Sequence, residues 1–454
     1  MIHKSLKIIL LILLGLELSA QKSTVISLEE AHTIAEKNNR LIKILEYKVK
    51  QAEGKLAEMK SNFYPRLSAS GTIAYNSDPN IYVYKGEFNH IYRDLVDIEW
   101  IDELLEKYIP LPPKDMTLIH GDHYLYKTSV NLIQPITQLT QVNSGKKVAE
   151  TDVSIEALEK QKAINEIKLG ITELYYGILL EQKMEAATLT RLKYKRSEYR
   201  DALNASEEGE LLKVDAMGLK AEINETEHQL IKHQNQQQNY LLKLKQLLGV
   251  EYPVEPVMNL DSLYLTEPEP MNEFITAVSG ENFSIQQAGL MVRKAEFGVD
   301  AARKEYIPGL ALFGQYNYNH GIPLTPRSYF LTGLNLEWEI FASGERAAVI
   351  RQREALLGEA TEDFSYQKES MRNEAEQLYL QTQNAKRLFT AAQDAYDARQ
   401  EEHRLMKDAF EAGQKLKTDL LKSEADLAES EAELLASRVN YLILLSKMQY
   451  LKGN

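Results

Sequence analysis

The sequence predicts an α plus membrane β fold built from a duplicated chain, with four strands and long antiparallel helices in each protomer. Three observations predict it: short motifs recur at a constant offset, four short segments alternate with period two, and two long segments lack proline. Four strands leave open edges, whose unpaired backbone groups cannot stand in lipid. We therefore expect a trimer that forms a 12-stranded β-barrel, an even strand number in the bacterial range, continued by a 12-helix α-barrel.

The first 20 residues predict a secretory signal peptide, residues 1–20. Lys4 and Lys7 precede a short apolar run, and a small-residue site ends at Ala20. The run is too short for a membrane helix of about 20 residues, and Glu17 interrupts it. The cysteine count of 0 agrees with export. The net charge of -13, without a basic block, argues against a nucleic-acid partner.

The chain consists of a first structural repeat, residues 21–249, a linker or equatorial segment, 250–270, and a second repeat, 271–454. At the offset from Pro65 to Pro308, further pairs agree: Asn39 with Asn282, Ala52 with Ala295, Glu53 with Glu296, and Tyr75-Asn76 with Tyr318-Asn319. Later the offset is shorter and pairs Gly209 with Gly413 and Asp215 with Asp419. The extra residues of the first repeat lie in segment 77–122, which we expect to be a long surface loop.

Each repeat begins with a predicted helix, residues 28–60 and 271–304, in which apolar residues are spaced by three and four. The period then changes to two. The first strand of each repeat places these residues on one face: Leu67, Ala69, Gly71, Ile73 and Tyr75, and Leu310, Leu312, Gly314, Tyr316 and Tyr318. The second strand of each repeat does the same: Tyr126, Thr128, Val130 and Leu132, and Phe330, Thr332, Leu334, Leu336 and Trp338. Such alternation is typical of a membrane barrel and also of a half-buried soluble sheet.

The longest predicted helices are residues 144–208 and 345–412, which contain no proline and are rich in helix-forming residues. At ~1.5 Å per residue each is a rod of roughly 100 Å. Each rod turns at a glycine and returns through a helix about half as long, 214–248 or 418–452. We expect the helix that opens each repeat to stack end to end on the returning helix and to match the rod in length. The apolar stripes on these helices indicate packing seams and not cofactor sites.

No catalytic constellation is predicted, so the protein is not expected to be an enzyme. A nucleotide-binding glycine loop, a nucleophile elbow and a zinc-helix motif are absent from the sequence. The segment His120-Gly121-Asp122-His123 contains metal-ligand types, but a third ligand is not evident. We therefore predict no cofactor and no metal site.

At its motifs the sequence resembles the TolC family of outer-membrane efflux and secretion channels, over essentially the whole mature chain. The resemblance rests on Ile26 to Ala31 with Asn38-Asn39, on Tyr64-Pro65 and Ile307-Pro308, on Gln134-Pro135-Ile136, and on the turns Gly209 to Asp215 and Gly413 to Asp419. It implies a passive trimeric exit duct in outer-membrane lipid, with its helical tunnel in the periplasm. It also implies a periplasmic adaptor protein and an inner-membrane transporter as partners, in a tripartite efflux or type I secretion system.

The resemblance implies functional residues at the helical turns, which form the periplasmic end of the tunnel in the family and are closed at rest. Asp215 of one hairpin and Lys415 of its neighbour fall at positions of a gating contact. Each follows the glycine of its own turn, Gly209 or Gly413. The alternative is that both are solvated turn residues, since exposed ion pairs contribute only about 0 to 1 kcal/mol.

Three further tip residues bear on gating and ion selectivity. Asp419 falls at an acidic ring that can bind cations in the lumen, although an aspartate there also suits a helix start. Phe410 lacks the hydroxyl that relatives can carry at its position. Lys422 stands where a second acid occurs in some relatives, which would weaken cation attraction.

Two other classes remain open at this stage. A periplasmic coiled-coil adaptor of the membrane fusion type also has long helical hairpins, but it is not expected to carry two strand pairs. A soluble structural coiled coil is not expected to be interrupted by strand modules that repeat at a constant offset.

Overall fold

The computed structural model describes residues 24–83, 116–119, 121–257, 266–322 and 324–453. The predicted signal peptide and much of the predicted loop 77–122 lie outside the described residues. The chain divides into two compact units. The first, called here the helical unit, comprises Met1–Ala52, Thr151–Arg293 and Gly358–Asn454, and the second, the sheet unit, comprises Glu53–Glu150 and Lys294–Leu357.

The first repeat and the linker contain the predicted helices and strands in the predicted order, together with four short strands that were not predicted. Their elements are β1 (Thr24–Ile26), α1 (Leu28–Asn38), α2 (Arg40–Ser61), β2 (Arg66–Tyr75), β3 (Ile81–Val83), β4 (Met116–Ile119), β5 (Tyr124–Pro135), α3 (Leu139–Glu207), α4 (Lys213–Leu248) and, in the linker, β6 (Val254–Pro256). The elements of the second repeat are α5 (Met271–Glu281), α6 (Phe283–Lys304), β7 (Gly309–His320), β8 (Ser328–Glu337), α7 (Glu345–Glu411) and α8 (Lys417–Lys452).

The structure corrects several predicted boundaries. The first rod, α3, begins at Leu139 and not at residue 144, and β8 ends at Glu337, one residue before Trp338. The predicted loop 77–122 contains the short strands β3 and β4, which pair in antiparallel fashion. Boundaries of this kind depend on local capping and pairing that periodicity does not encode.

The opening helix of each repeat is broken at an asparagine, where the sequence predicts one continuous helix. Asn39 separates α1 from α2, and Asn282 separates α5 from α6. The Oδ1 atom of Asn39 accepts from the amide of Leu41 at 2.8 Å, while its Nδ2 donates to the carbonyl of Leu247 at 2.7 Å. Because an asparagine side chain can replace a helical backbone partner, it favours a helix start over a helix interior.

The second repeat uses the same joint. The Nδ2 of Asn282 donates to the carbonyl of Leu451 at 2.9 Å, and its Oδ1 accepts from the amide of Ser284 at 2.9 Å. The returning helices therefore end where the opening helices break, so that α4 is followed end to end by α2, and α8 by α6. The predicted stacking of two short helices is present in both repeats.

Two glycines allow these helix ends to meet. Gly249 and Gly453 end α4 and α8 with φ of 67° and 95°. A Cβ at Gly249 would lie 2.7 Å from the carbonyl oxygen of Asn38, and one at Gly453 would lie 2.4 Å from that of Glu281. Only glycine combines the left-handed backbone with this close approach.

The core of the helical unit lies at the level of these joints. One cluster of buried side chains belongs to the first repeat: Ile26, Ala31, Ala35, Ile42, Ile167, Ile171, Ile178, Leu244, Leu248 and Val254. The other belongs to the second repeat: Phe274, Val278, Ala375, Leu378, Met448 and Leu451. Strands β1 and β6 pair in parallel beside the first cluster, and the hydroxyl of Tyr175 donates to the carbonyl of Val257 at 2.7 Å.

The sheet unit carries a four-stranded antiparallel sheet in the order β2-β5-β7-β8, besides the short pair β3-β4. Its register aligns Leu67 with Leu132, and Val130 with Tyr316, which in turn aligns with Phe330. The faces predicted to be apolar in the four strands therefore form one continuous apolar face, because side chains alternate strictly along a strand. The opposite face is polar at the same level, where Ser70 and Ser129 share a hydrogen bond of 2.7 Å.

Candidate functional site

The two hairpins end in the same turn. At the first tip, defined as residues 204–215, Gly209 has a φ of 81° and the amide of Glu210 donates to the carbonyl of Ala205 at 2.9 Å. At the second tip, residues 408–419, Gly413 has a φ of 72° and the amide of Gln414 donates to the carbonyl of Ala409 at 2.9 Å. In each turn this hydrogen bond, next to a glycine in the left-handed conformation, satisfies a carbonyl at the end of the long helix, and the chain reverses direction.

The aspartates six residues after these glycines lie in the first turns of the returning helices. Asp419 accepts through Oδ2 a hydrogen bond from the backbone amide of Leu416 at 3.2 Å. The leucine side chain has no polar atom, so it makes no reciprocal hydrogen bond to the backbone of Asp419. The carboxylate thereby stabilises the positive end of the α8 dipole. Asp215 occupies the equivalent place in α4, where it is exposed.

The structure does not bring the predicted gating pair together within one protomer. Asp215 and Lys415 are both exposed, and neither makes an ion pair within the described chain. Phe410 is half-buried in the last turn of α7, and Lys422 is exposed on α8. A contact between Asp215 and Lys415 therefore requires a neighbouring copy or a rearrangement of the tips.

An acidic groove of about 630 Å³ lies between α3 and α4 at the first tip. Carboxylates and apolar side chains line it together: Glu198, Asp201, Ala202, Ala205, Leu211, Val214, Asp215, Gly218, Leu219 and Glu222. Two of these carboxylates form ion pairs with Lys195, namely Glu198 at 3.1 Å and Glu222. Burial, followed by a hydrogen bond to the Glu198 carboxylate, raises the pKa of the neighbouring Tyr194.

Polar contacts that sequence reasoning missed join the two repeats along the helical unit. This inter-repeat seam runs between α3 and α8, which are antiparallel. From the tip upward its pairs are Asp201 with Thr418, Arg191 with Asp426 and Glu429, Lys183 with Glu431, Glu173 with Lys447, and Glu166 with Tyr450. Burial and the hydrogen bond to Glu166 raise the pKa of Tyr450. The spacing of charges along each helix offered no signal for this pairing, since the partners are more than 200 residues apart.

A second set of pairs fixes the order of the helices. Helix α3 also contacts its own returning helix α4, through pairs of Arg196 with Glu227 at 2.7 Å and of Glu181 with His233 at 2.7 Å. On α7, His403 shares a hydrogen bond of 2.9 Å with Ser423 of α8. The lateral order in the helical unit is therefore α4-α3-α8-α7.

Exposed large apolar side chains concentrate on the two outer columns of this order. The column of α2 and α4 exposes Leu41, Ile44, Tyr47, Val214, Met217, Ile231 and Leu242, and α7 exposes Tyr366, Leu380, Leu388 and Leu405 in this unit. Of the inner columns, α3 exposes Leu189 and Leu203, α6 exposes Met291, and α8, which is described in full, exposes none. Unpartnered apolar stripes on both lateral faces indicate an interaction with other chains.

The segment His120-Gly121-Asp122-His123, for which no metal site is predicted, contacts one residue of the second repeat. His320 Nε2 lies 3.3 Å from Asp122 Oδ2, while His123 Nδ1 is within 2.9 Å of the carbonyl of Asn76. His120 lies outside the described residues. In the part of the chain that the structure describes, no group of three His, Cys, Asp or Glu side chains could hold a metal ion.

No described helix combines the length and the hydropathy that crossing a bilayer requires.

The fold is that of bacterial outer-membrane channels. The chain aligns with the outer membrane channel CmeC of Campylobacter jejuni at a TM-score of 0.71 and 15% identity, covering 94% of this chain and 85% of CmeC. It aligns with the outer membrane protein VceC of Vibrio cholerae at 0.69 and 13% identity, covering 94% and 96%. A membrane protein from Pseudomonas aeruginosa aligns at 0.71 and 14% identity, covering 94% and 90%.

Residues 275–453 match the family model described as Outer membrane efflux protein. This match covers most of the second repeat, and the family resemblance found in the motifs is confirmed. Proteins of this family are transport ducts and not enzymes. A search of the curated proteins finds no match to the sequence.

Proposed function

We propose that the chain is the outer-membrane channel of a tripartite efflux or type I secretion system, in which three copies form one passive exit duct. The observation that carries this proposal is the pair of open lateral faces. In the sheet, β2 and β8 are paired on one side only. In the helical unit, the outer columns expose the apolar stripes described above.

These faces suit a head-to-tail ring. Strand β2 follows α2 in the chain, and β8 precedes α7, so that each free strand edge continues into a helix with an exposed apolar stripe. If the β2 side of one copy meets the β8 side of the next, both the backbone groups and the stripes find partners, and a rotation closes the ring. Three four-stranded sheets make a 12-stranded barrel. The apolar face then contacts lipid, and the polar face lines the lumen.

The location and partners follow from this architecture. Residues 1–20 would direct export, and the repeats 21–249 and 271–454, joined by 250–270, would form the mature protomer. The barrel would lie in the outer membrane and the helical tunnel in the periplasm, where a periplasmic adaptor protein meets an inner-membrane transporter. A periplasmic coiled-coil adaptor is the less favoured alternative, because the chain carries a four-stranded sheet with a continuous apolar face.

Molar mass and conductance test the proposal together. Light scattering of the detergent-purified mature protein, corrected for bound detergent, is expected to give a trimer, and planar bilayers are expected to show discrete channels. A folded monomer without conductance would leave four strands unclosed and would contradict the channel, in favour of the adaptor.

For the gate, we propose that Asp215 and Lys415 pair between neighbouring hairpins around the ring, with Gly209 and Gly413 setting the turns and Phe410 packing beside them. Both side chains are exposed at the tips and carry opposite charges. Lys415→Glu replaces attraction by repulsion and should raise the single-channel conductance. Lys220→Glu makes the same charge change on α4, where it should have little effect, and equal conductance of both variants would count against the gate.

For ion selectivity, we propose that three Asp419 carboxylates form a ring in the lumen, moderated by Lys422 one turn later. Like charges in a narrow aqueous lumen favour counter-ions. Asp419→Asn keeps an oxygen that can accept from the Leu416 amide, so the helix start should persist while cation preference falls. Reversal potentials in a salt gradient measure this. A reversal potential equal to that of the unmodified channel would refute the ring, and Glu210→Gln is the control.

A further inference from the structure

The polar face of the four-stranded sheet carries few charges. Within strands β2, β5, β7 and β8, the Asp, Glu, Lys and Arg side chains are Arg66, Lys127 and Glu337. Lys127 is two residues from Ser129 and therefore lies on the same face of β5, which is the polar face. Arg66 and Glu337 are each adjacent in sequence to a leucine of the apolar face, so both also lie on the polar face.

Lys127 differs from the other two charges in its position along the strands. Arg66 is the first residue of β2, which follows α2, and Glu337 is the last residue of β8, which precedes α7. Both therefore lie where the strands continue into helices. Strand β5 runs from Tyr124 to Pro135 and then leads into α3, so Lys127 lies near the opposite end of the sheet. Eight residues separate it from Pro135, roughly 27 Å at the rise of an antiparallel strand.

In the proposed ring, the charges at the helix-proximal end offset each other. The β2 edge of one copy meets the β8 edge of the next, and these two strands run antiparallel. Since β2 begins and β8 ends at this level, Arg66 and Glu337 come together across each interface with opposite charges. Three copies of Lys127 have no such counterpart in the strands and leave the barrel wall with a positive ring.

The surroundings of Lys127 suit an anion. Its side chain is exposed and makes no ion pair within the described chain. On the neighbouring strand, Asn319 lies opposite Lys127, and Asn317 lies opposite Ser129. Asn317 is only 1% exposed, and its Nδ2 has no hydrogen-bond partner among the described residues. A diagonal neighbour on one face is ~7–8 Å away, within reach of a lysine, and a buried N–H without an acceptor is unfavourable.

We propose that the three Lys127 side chains form a binding ring for polyvalent anions in the outer part of the barrel, with the Asn317 amide as an additional donor. The ring rests on the proposed channel function. Rings of lysine favour anions in pores, and the lumen residues of a barrel set its selectivity. This ring lies at the mouth opposite the helical tips, so it is separate from the proposed Asp419 ring and acts on ions of the opposite sign.

Salt decides when such a ring acts. The screening length is about 3 Å at 1 M salt and about 30 Å at 0.01 M. Three charges at roughly 10 Å from a solute in water, screened by 0.1 M salt, enrich a monovalent anion about twofold and a tetravalent anion on the order of tenfold. Block by a polyvalent anion is therefore expected in dilute salt and is lost at 1 M.

Single-channel recording of the full trimer tests the ring, with hexacyanoferrate(II) as the tetravalent probe at 0.1 M salt. Added at the mouth formed by the sheet, the probe should block the unmodified channel at a concentration on the order of tenfold lower than it blocks Lys127→Gln. Lys127→Arg keeps the charge and should be blocked like the unmodified channel. Arg66→Gln with Glu337→Gln is the matched control, because it removes equal and opposite charges from the other end of the sheet.

Thiol chemistry separates the charge of the ring from the folding of the barrel. The chain contains 0 cysteines, so Lys127→Cys provides one thiol in each protomer. An aminoethyl methanethiosulfonate reagent attaches an ammonium group to this thiol through a disulfide and should restore the block. A sulfonatoethyl reagent attaches a negative charge to the same folded channels and should leave the block absent.

The outcomes distinguish the ring from the function on which it rests. Conducting trimers that the probe does not block, or in which Lys127→Gln is blocked like the unmodified channel, would overturn the ring alone. A block that the aminoethyl reagent does not restore would also count against it. Absence of conductance from the unmodified trimer would overturn the proposed channel, and the ring with it. A block that is lost in Lys127→Gln and restored by the attached ammonium would support both.

Discussion

Three glycines of this chain differ in what constrains them, and alanine substitution separates the constraints. Gly249 combines a φ of 67° with a carbonyl oxygen 2.7 Å from where a Cβ would lie. Gly209 has a φ of 81° with open space around that position, and Gly218 lies within α4 with open space and no positive φ. The first site is constrained by backbone and packing, the second by backbone alone, and the third by neither.

Alanine at these three positions should therefore give graded stabilities. Gly209→Ala should cost roughly 1–2 kcal/mol from the left-handed backbone, and Gly249→Ala should cost more because the helix joint must also shift. Gly218→Ala should stabilise by about 0.5–1 kcal/mol, since alanine favours a helix interior. Thermal unfolding followed by circular dichroism measures the order. Equal losses at positions 209 and 249 would show that the joint between α4 and α2 tolerates a side chain.

His32 makes the helical unit sensitive to acid. His32 is half-buried on α1, and its Nε2 donates a hydrogen bond of 3.1 Å to the carbonyl of Lys168. Burial lowers the pKa of His32 below its ordinary value of 6.5, and this outweighs the hydrogen bond, which raises it. Protonation therefore favours the unfolded chain. The contribution of His32 to stability is complete above the unfolded pKa and is lost as the pH falls towards the lower folded pKa.

His32→Gln should flatten the pH dependence of the unfolding temperature below about pH 6.5. The unmodified protein should lose stability over that interval through this residue, and the variant should not. Apparent unfolding temperatures at a series of pH values measure the slope. His228→Gln, exposed on α4, is the control. A slope that His32→Gln leaves unchanged would assign the acid sensitivity to other groups.

At the scale of elements, the lateral order α4-α3-α8-α7 explains where side chains are buried. Helices α3 and α8 have neighbours on both sides, whereas α7 and the column of α2 and α4 have one free flank each. The exposed apolar residues follow these flanks. In the proposed ring, the flank of α7 is expected to become a packing surface against the next copy.

Polar substitution on the α7 stripe should weaken the oligomer and not the protomer. Leu388 is 62% exposed and Leu380 is 58% exposed, so Leu380→Gln with Leu388→Gln removes little packing within one chain. The proposed trimer should dissociate at lower detergent or denaturant concentration, while the helix content of the protomer persists. Leu388→Met keeps the apolar surface and is the control. A trimer of unchanged stability by light scattering would place the interface elsewhere.

The periodicity of the sequence predicted the order of the elements well, since amphipathic periods of two and of three or four are properties of single segments. The four strands, both long helices and the stacking of short helices could be predicted in this way. The breaks at Asn39 and Asn282 could have been found, because the repeat had already paired these residues, and asparagine favours helix starts. The seam between Arg191, Asp426 and Glu429 could not be predicted, because it joins charged side chains on distant helices that have many equivalent candidates.

At the scale of the whole molecule, duplication explains why one chain offers two complementary flanks. Each repeat supplies one long helix, two strands, and one jointed column, which is the returning helix stacked end to end on a shorter helix. Joined through α3 and α8, the repeats leave a jointed column at one side and a continuous helix at the other. Such a protomer is not self-complementary, which favours a cyclic arrangement over a two-fold dimer.

The joints at Asn39 and Asn282 also constrain how the length of the protein can change. Each long helix and its returning helix are held in register at two points, the glycine turn and the asparagine joint. An insertion in α3 between those levels displaces every later seam contact unless α4 gains the same number of residues. Helices α7 and α8 must gain that number too, because the seam joins the two repeats. Lengthening is therefore a coordinated event in four helices, and viable length variants should carry matched insertions, most readily of seven residues, about two helical turns.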